Sequence, residues 1–293
     1  MTTAMLQDEI PSNLYKPTDP LPCTVLESRR LTALDSPNDV QHIVLNLGDS
    51  GFKYLEGQSI GVLPPGTDAQ GKPYKLRLYS IASPAVGDDG QGKTVSVCVK
   101  RALGTDPATG ELHPGVCSGY LCDLPVGATV QVTGPVGKTY LMPPDPSANL
   151  IMVATGTGIA PFRAFLKKRA VQADKPGQSW VYFGAQTHKD DLYAQEFNAY
   201  QAMPGFQRIT AFSREQQTAD GHRMYVQHRI QETALELIPL LQQPNTYLYL
   251  CGLKGMEPGI LDGLSQAAAA CEVDWFALFA TLKAEKRWLV EVY

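Results

Sequence analysis

This chain of 293 residues contains one stretch that decides its fold: Ala154-Thr155-Gly156-Thr157-Gly158-Ile159-Ala160-Pro161-Phe162. The stretch follows a short apolar run at residues 149–154, which is typical of a buried strand, and it opens a segment with helical spacing. At such a junction the backbone N–H groups and the helix dipole point towards an anion, so the pattern predicts a turn that binds the pyrophosphate of a dinucleotide. Pro161 takes the place of the third glycine of the usual fingerprint, which leaves a plain strand-to-helix turn as the alternative.

Strands and helices alternate through the C-terminal half. The strands are predicted at residues 149–154, 180–184, 208–213 and 247–252, and the helices at residues 160–170, 192–203, 226–241 and 256–270. This alternation is typical of a Rossmann-like α/β domain with a parallel sheet, in which ligands bind at the carboxyl ends of the strands. The proline-rich segment at residues 142–146 marks the start of this domain, which is predicted to span residues 144–293.

The N-terminal half has a different pattern. Six short runs rich in Val, Ile, Leu and Thr are separated by turn residues, and they cover residues 23–33, 40–48, 58–65, 76–83, 94–102 and 128–133. Six such strands predict a closed antiparallel β-barrel over residues 23–143. The proline-rich residues 1–22 are expected to form an arm that lies on this barrel. The sequence therefore predicts two domains.

Composition and charge exclude several classes of protein. Apolar residues make up 44% of the chain, charged residues make up 18%, and the net charge of −4 without a Lys/Arg block argues against nucleic-acid binding. The six cysteines form no C-x-x-C pair and fit neither a zinc site nor an iron–sulfur cluster, so reduced thiols are expected. No apolar run reaches membrane-spanning length. The N-terminus lacks the features of an export or transit signal, which predicts a cytoplasmic protein, with a mature plastid form as the alternative.

Residues at the end of the third predicted strand of the α/β domain bear on the choice of coenzyme. An NAD-binding protein commonly has an acidic residue there to bind the ribose hydroxyls, whereas this chain has Ser213 and Arg214. A hydroxyl and a guanidinium suit a 2′-phosphate, with Arg223 as a second cation and Tyr225 as a ring on which adenine can stack. The sequence therefore predicts NADP as the coenzyme. The alternative is a solvated Arg214 beside Glu215.

Six motifs taken together carry a family resemblance. They are Arg77-Leu78-Tyr79-Ser80, Cys98-Val99-Lys100-Arg101, Gly115-Val116-Cys117-Ser118, Gly156-Thr157-Gly158-Ile159-Ala160-Pro161-Phe162-Arg163, Cys251-Gly252-Leu253-Lys254-Gly255-Met256-Glu257 and Glu291-Val292-Tyr293. In this order, and across nearly the whole chain, they closely resemble the plant-type ferredoxin–NADP reductases. The resemblance implies an enzyme with FAD in the barrel domain and NADP(H) in the α/β domain, which exchanges a hydride with NADP(H) and single electrons with ferredoxin.

The resemblance implies how FAD is bound. Arg77 would pair with the pyrophosphate, Tyr79 would cover one face of the flavin ring, and Ser80 would hydrogen-bond to the N5 atom. One departure concerns adenine, because plant enzymes have a stacking Tyr where this chain has Gly104. The FAD-binding residues implied in this way are Arg77, Leu78, Tyr79, Ser80, Cys98, Val99, Lys100, Gly115, Val116, Cys117, Ser118, Thr157 and Tyr293.

Four catalytic residues are also implied by the resemblance: Ser80, Cys251, Glu291 and Tyr293. Cys251 would lie beside the nicotinamide, with a buried core thiol as the alternative, and Glu291 would carry protons to and from the flavin or tune its redox behaviour. Tyr293 would stack on the flavin face that the nicotinamide needs, so it would have to move aside. The NADP-binding residues implied are Lys100, Thr157, Gly158, Pro161, Ser213, Arg214, Arg223, Tyr225, Gln227, Gly252, Leu253 and Glu291.

A basic segment precedes the expected flavin site. Lys72, Lys75 and Arg77 would attract an acidic redox protein, ferredoxin or flavodoxin, although Ala69 stands where the plant enzymes have a further Lys. A solvated basic face is the alternative, and a monomer is expected. Two other functions stay open: a reductase component that serves an oxygenase or flavodoxin, and a non-catalytic NADPH-sensing module on the same fold.

Overall fold

A computed structural model describes residues 10–105, 109–172 and 176–293 of the protein. These residues form two compact units. The first unit contains the described residues up to Met142 together with Arg163–Lys168, and the second contains Pro143–Phe162 and the described residues from Arg169 to Tyr293. Each unit has its own main sheet.

The first unit is built mainly from antiparallel strands. In chain order its elements are β1 Leu21–Arg30, β2 Val40–Asn46, β3 Ser59–Leu63, β4 Arg77–Ser80, β5 Thr94–Lys100, β6 Leu103–Thr105, β7 Leu112–Pro114, helix α1 Val116–Asp123 and β8 Thr129–Val136. Six strands form one sheet in the order β4-β3-β8-β1-β2-β5, in which neighbouring strands are antiparallel. β6 and β7 form a separate hairpin that was not predicted from the sequence.

The two outer strands of this sheet meet and close it. Ile81, which follows β4, forms an antiparallel bridge with Val97 of β5, and the Ala82 N–H donates to the Ser96 carbonyl at 2.7 Å. Alternate side chains such as Val97 and Val99 are fully buried in the interior, as in other small barrels. The predicted six-stranded antiparallel barrel is confirmed.

Residues 10–20 lie against the barrel. The Asn13 N–H donates to the Pro135 carbonyl at 2.8 Å, and Tyr15 pairs with Gly134 in an antiparallel bridge. The Tyr15 ring stacks on Phe52 with 5.8 Å between the ring centroids. Residues 1–9 of the predicted arm lie outside the described ranges. The remaining part of the arm is therefore attached by backbone pairing and by one aromatic stack.

The second unit alternates strands and helices. In chain order its elements are β9 Asn149–Thr155, α2 Ala160–Gln172, β10 Ser179–Ala185, α3 Ala194–Ala199, β11 Phe206–Phe212, α4 Val226–Glu232, α5 Ala234–Leu241, β12 Thr246–Gly252, α6 Met256–Ala270, α7 Trp275–Ala284 and β13 Trp288–Val292. The middle of α2, Arg163–Lys168, belongs to the first unit. All five strands are parallel and lie in the order β11-β10-β9-β12-β13. The predicted Rossmann-like parallel sheet is confirmed.

Two of the predicted helices are wrong in their extent. The helix predicted at residues 226–241 is divided into α4 and α5 at Thr233, whose backbone leaves the helical region (φ −103°, ψ 14°). The Thr233 hydroxyl lies 2.6 Å from the Tyr182 hydroxyl and 2.9 Å from the Arg229 carbonyl, which fixes the break. The helix predicted at residues 192–203 begins only at Ala194, because Tyr193 has a left-handed backbone (φ 57°).

The last helix and strand, α7 and β13, were not predicted. They pack through aromatic rings: the centroids of Trp275 and Phe279 are 5.3 Å apart, and those of Phe279 and Trp288 are 4.9 Å apart. β13 is an edge strand that pairs only with β12, so its half-buried residues give a weak strand pattern. In the described ranges, no helix is both long enough and apolar enough to cross a membrane.

Candidate functional site

Functional side chains of the second unit gather where its parallel strands end. Thr155 ends β9 and Gly252 ends β12, and these two strands are neighbours at the point where the strand order changes direction. Such a switch point is where open α/β sheets bind ligands. The Leu253 N–H donates to the Thr155 hydroxyl at 3.1 Å, which joins the two loops. Thr155 was not among the predicted site residues, although it lies within the stretch that decided the fold.

Two glycines allow these loops to approach each other. A Cβ atom on Gly158 would overlap the Cys251 carbonyl group and would lie 2.7 Å from the Gly252 nitrogen. A Cβ atom on Gly252, whose φ is +143°, would overlap the Thr155 hydroxyl. Gly156 faces open space, and the 3-10 turn that it begins has no side-chain cap. The turn therefore offers accessible backbone N–H groups, and it fits a pyrophosphate.

The chain end is tied to the same two loops. The Tyr293 N–H donates to the Gly252 carbonyl at 3.0 Å, and the Lys254 N–H donates to the Tyr293 carbonyl at 3.0 Å. The Tyr293 hydroxyl lies 2.5 Å from the Thr157 hydroxyl, and 59% of the residue is exposed. The backbone of Tyr293 is therefore fixed while its ring presents a large apolar surface beside the predicted pyrophosphate turn.

Glu291 and Cys251 are neighbours in the sheet. Their Cα atoms are in register across β13 and β12, so both side chains point to the same face. Cys251 is fully buried, while Glu291 is half-buried and has no hydrogen-bond or ion-pair partner within the described ranges. Burial raises the pKa of Glu291 to about 7. A carboxyl group that titrates near neutral pH is suited to proton transfer.

Replacing Glu291 by Gln is expected to change how stability depends on pH. The folded protein holds a proton on Glu291 up to a pKa of about 7, whereas the unfolded chain releases it near pH 4.5, so wild-type stability falls as pH rises between these values. The variant does not titrate at this position, so its free energy of unfolding should rise relative to that of wild type by about 2 kcal/mol between about pH 5 and pH 8. This figure is reduced to allow for the partial exposure of Glu291. Urea unfolding of the FAD-loaded proteins measures this difference, and identical pH dependence would contradict it.

The residues predicted to bind a 2′-phosphate follow β11. Ser213 and Arg214 continue the pairing beyond the strand, and the Arg214 N–H donates to the Gln186 carbonyl at 2.8 Å. The chain then folds back, since Gln217 and Arg223 form an antiparallel bridge. The side chains of Arg214 and Arg223 are exposed, and neither has a hydrogen-bond or ion-pair partner among the residues that the structure describes. Two exposed guanidinium groups with no partner among the described residues are suited to bind a phosphate.

Tyr225 and Gln227 lie at the start of α4. The Tyr225 ring is 43% exposed and lies 5.9 Å from the His228 ring, and the Tyr225 N–H donates to His228 Nδ1 at 3.1 Å. Tyr225 is therefore held in place with one face available for adenine. Gln227 packs under α6, where a Cβ atom on Gly263 would lie 2.9 Å from the Gln227 carbonyl oxygen. A role of Gln227 in NADP binding stays a prediction.

The predicted FAD residues of the first unit lie on β4 and α1. Tyr79 is half-buried and packs against the barrel core. Burial raises the pKa of Tyr79 well above its usual range, and the nearby Cys117 thiol adds to the shift. Arg77 and Leu78 are exposed, and Ser80 is half-buried at the end of β4. Tyr79 is thus a neutral ring beside the barrel core.

The N-terminus of α1 is open to an anion. Gly115 is its N-cap, and no side chain caps the helix. The Gly115 N–H donates to the Ala102 carbonyl at 2.8 Å, and the Ser118 hydroxyl accepts from the Ala102 N–H at 3.1 Å, so the turn is held by the chain that follows β5. The N–H groups of Val116 and Cys117 point out of the first turn. This arrangement fits the phosphates of FAD.

Two of the predicted FAD contacts, Cys98 and Val99, are limited by the fold. Val99 is fully buried in the barrel and Cys98 is 5% exposed, so Val99 can contact a ligand only through its backbone. Gly104 lies opposite His113 in the β6–β7 hairpin, and a Cβ atom on Gly104 would lie 2.6 Å from His113 Cε1. The ring of His113 therefore fills the space above Gly104. Lys100 is exposed at the end of β5.

Each unit thus contains a turn that fits the phosphates of a dinucleotide. Residues 152–262 match the oxidoreductase NAD-binding domain family. The chain is 48% identical over 291 residues to a ferredoxin–NADP reductase of Spirulina sp., covering 97% of this chain and 99% of that protein. It is also 48% identical over 288 residues to the chloroplastic leaf isozyme 1 of ferredoxin–NADP reductase from Oryza sativa subsp. indica, covering 96% of this chain and 79% of that protein.

Solved structures agree with these relatives. The ferredoxin–NADP+ reductase of Plasmodium falciparum is 30% identical and superimposes with a TM-score of 0.75, covering 97% of this chain and all of that one. Together with the fold and the two turns, these similarities define the class of protein, an oxidoreductase that binds dinucleotides. The chain belongs to the ferredoxin–NADP reductase family. Binding of FAD and NADP is characteristic of this family.

Proposed function

We propose that this protein is a ferredoxin–NADP reductase that uses FAD and NADP(H). FAD, when bound, accepts or donates a hydride on the NADP(H) side and single electrons on the ferredoxin side. The observation that carries the proposal is the convergence of the loop Thr155–Gly158, the Gly252–Leu253 turn and the chain end Glu291–Tyr293 at one edge of the parallel sheet. Near-complete alignment with relatives that carry this activity in their names supports it.

FAD would be held by β4, β5 and the start of α1 in the barrel unit. The exposed guanidinium of Arg77 is suited to the pyrophosphate, and the uncapped N–H groups after Gly115 would bind phosphate oxygens. Tyr79, packed against the barrel core, would lie flat against the flavin ring, and Ser80 would donate or accept one hydrogen bond at its edge. We accordingly propose residues 23–143 as the FAD-binding domain and residues 144–293 as the NADP(H)-binding domain.

NADP(H) would be distinguished from NAD(H) by Ser213, Arg214 and Arg223. A charge-assisted contact to the 2′-phosphate contributes roughly 1.5–3 kcal/mol, which corresponds to a preference on the order of tenfold to a hundredfold. A structure of the Plasmodium falciparum reductase, 29% identical to this chain, was solved with 2'P-AMP, which is consistent with a 2′-phosphate site in the family. Tyr225 would stack on the adenine.

Glu291 would move the proton that accompanies reduction. Its pKa near 7 allows it to hold a proton and to release it at physiological pH, and its half-buried position limits access of bulk water. Cys251, which is buried in register with it, would shape the pocket for the nicotinamide ring without acting as a thiolate.

The electron partner would be an acidic protein that docks near β4. Lys72, Lys75 and Arg77 are exposed and have no ion-pair partner within the described residues, so they can steer such a protein. Ferredoxin is the partner named for the relatives, and flavodoxin is a second acidic protein that this surface would accept. We expect a monomer, and a reducing compartment such as the cytoplasm for the six free cysteines.

Stopped-flow reduction of the purified protein tests the function. NADPH should reduce the bound flavin on mixing, and NADH should need a concentration about tenfold to a hundredfold higher. Titration with ferredoxin, then with flavodoxin, at rising salt should show faster electron transfer at low salt for the physiological partner. A colourless preparation without NADPH-dependent dye reduction would overturn the proposal in favour of a non-catalytic module.

Replacing Tyr293 by Ser is expected to strengthen nicotinamide binding and to reduce the preference for NADP(H) over NAD(H). In the proposed site the tyrosine ring would compete with the nicotinamide for one face of the flavin, and its stacking would contribute about 0.5–1.5 kcal/mol beyond burial. Its removal should therefore tighten coenzyme binding by about threefold for NADP(H) and up to about tenfold for NAD(H), which lacks the 2′-phosphate contact and depends more on its nicotinamide half. Difference spectra of the bound flavin on titration with NADP+ and NAD+ measure both effects. Tyr293→Phe, which keeps the ring and loses the bond to Thr157, is the control that should retain the preference.

A further inference from the structure

A carboxylate lies next to the predicted 2′-phosphate site and is held by a histidine. Glu215 follows Arg214 in the chain. Its Oε2 accepts the backbone N–H of His188 at 2.8 Å, and its Oε1 lies 2.7 Å from His188 Nδ1. Both carboxylate oxygens therefore have a partner from the same residue.

The two residues belong to neighbouring loops at the carboxyl edge of the sheet. His188 begins a short 3-10 turn after β10, and Glu215 follows β11. The Arg214 N–H donates to the Gln186 carbonyl at 2.8 Å, and the Glu215 N–H donates to the Phe212 carbonyl at 3.1 Å, so the backbone of both loops is fixed. The His188 contact adds a side-chain restraint to this backbone frame.

Because Glu215 is paired with His188, it does not pair with the guanidinium groups of the predicted 2′-phosphate site. Arg214 is adjacent in sequence to a carboxylate, yet its guanidinium has no partner among the described residues, and the same is true of Arg223. A free Glu215 would be attracted to Arg214 and would repel a phosphate at the same place. The backbone hydrogen bond from His188 is the main cause that lowers the pKa of Glu215, with Lys189 also contributing, so the carboxylate keeps its full negative charge.

We propose that His188 is a positioning residue for coenzyme selectivity: it holds the Glu215 carboxylate away from Arg214 and so keeps this guanidinium available for the 2′-phosphate of NADP(H). The inference rests on the proposed function, because it assigns the control of charge at the same site. His188 is exposed and touches no reacting atom, so it acts only through Glu215. The effect is restricted to ligands that carry a 2′-phosphate.

The test compares 2′-phospho-AMP with AMP, which differ only in that phosphate. Dissociation constants are measured by calorimetry on the FAD-loaded full-length chain for wild type, His188→Ala, Glu215→Gln, the double variant and Arg214→Ala. His188→Ala releases Glu215 Oε1, while the backbone N–H of residue 188 still holds Oε2. This variant should therefore weaken 2′-phospho-AMP binding about threefold and leave AMP binding unchanged. In the double variant the 2′-phospho-AMP affinity should return to the wild-type value, because the carboxylate charge that His188 restrains has been removed.

The outcomes separate this inference from the proposed function. If Arg214→Ala does not alter the ratio of the two affinities, the 2′-phosphate site itself is wrong. If Arg214→Ala lowers the affinity for 2′-phospho-AMP relative to AMP while His188→Ala leaves this ratio unchanged, only the role of His188 is overturned. If His188→Ala weakens both ligands equally and Glu215→Gln fails to restore binding, His188 merely supports the loop, and the inference is also overturned.

Discussion

Replacing Asp88 by Asn is expected to lower the free energy of unfolding by about 3–5 kcal/mol, the range for breaking a buried ion pair from one side. Asp88 Oδ1 lies 2.5 Å from Lys167 Nζ and 3.0 Å from Arg163 Nη1, and Asp88 Oδ2 lies 3.6 Å from His42 Nε2. The Arg163 side chain is only 4% exposed. Loss of the carboxylate charge removes the Asp88 anion from this buried guanidinium, although its bond to the Ala82 carbonyl at 2.8 Å remains.

The stabilisation that the Asp88 carboxylate provides should decrease in acid. Burial by itself raises the pKa of Asp88, but the hydrogen bond from His42 and the charges of Arg163 and Lys167 outweigh burial and hold the pKa well below its usual range. A carboxyl with a lowered folded-state pKa stabilises the protein fully above the unfolded pKa of about 3.9, and this contribution is lost as pH falls below that value. The gap between wild type and variant should therefore be widest near neutral pH and should narrow below about pH 4.

Urea unfolding at about pH 7 and about pH 3.5 measures both parts of this prediction. Asp49→Asn is the matched control, since Asp49 pairs with Lys93 at 2.8 Å on the surface, with 89% of the Asp49 side chain exposed. Surface pairs contribute little, so this variant should behave like wild type. An Asp88 variant no less stable than the Asp49 variant at neutral pH would contradict the assignment of a buried ion cluster.

The fold was predictable from local pattern. Short runs rich in Val, Ile, Leu and Thr located all six barrel strands, and the apolar runs located four of the five parallel strands. Helix α6 was predicted with the bounds that the structure has, Met256–Ala270: a glycine precedes it, and its last turn is a run of alanines, which have the highest helix propensity. β13 was missed because an edge strand with half-buried residues lacks the pattern of a buried one.

The site was predictable only in part. Residue types at the turns indicated phosphate binding. The glycines directly follow β9 and Arg214 directly follows β11, so each lies next to the strand that positions it. The contacts that complete the site join distant parts of the chain: Thr157 meets Tyr293 across 136 positions, and Leu253 meets Thr155 across 98. The raised pKa of Glu291 follows from burial alone, and burial is a property of the folded chain. No local pattern contains such information.

Replacing Gly158 by Ala is expected to weaken NADPH binding and to slow flavin reduction by roughly 100-fold, a loss that a 1 Å misplacement of reacting groups produces. The added methyl group would meet the Cys251 carbonyl, which belongs to the backbone of β12 and cannot rotate away as a side chain would. Overpacking of this kind typically costs about 1–3 kcal/mol, and here it is relieved only by moving the pyrophosphate turn away from β12.

Gly255→Ala is the matched control for this substitution. Gly255 caps α6 with a backbone in the right-handed helical region, and a Cβ atom there would meet no atom within 4 Å. Both variants add one methyl group to a glycine near the same strand end, yet only the one at Gly158 displaces a loop. Stopped-flow reduction by NADPH and thermal unfolding of the FAD-loaded proteins separate the two. If both variants bind NADPH as wild type does, the contact between Gly158 and Cys251 does not set the position of the turn, because a turn that tolerates the methyl group is not held against β12.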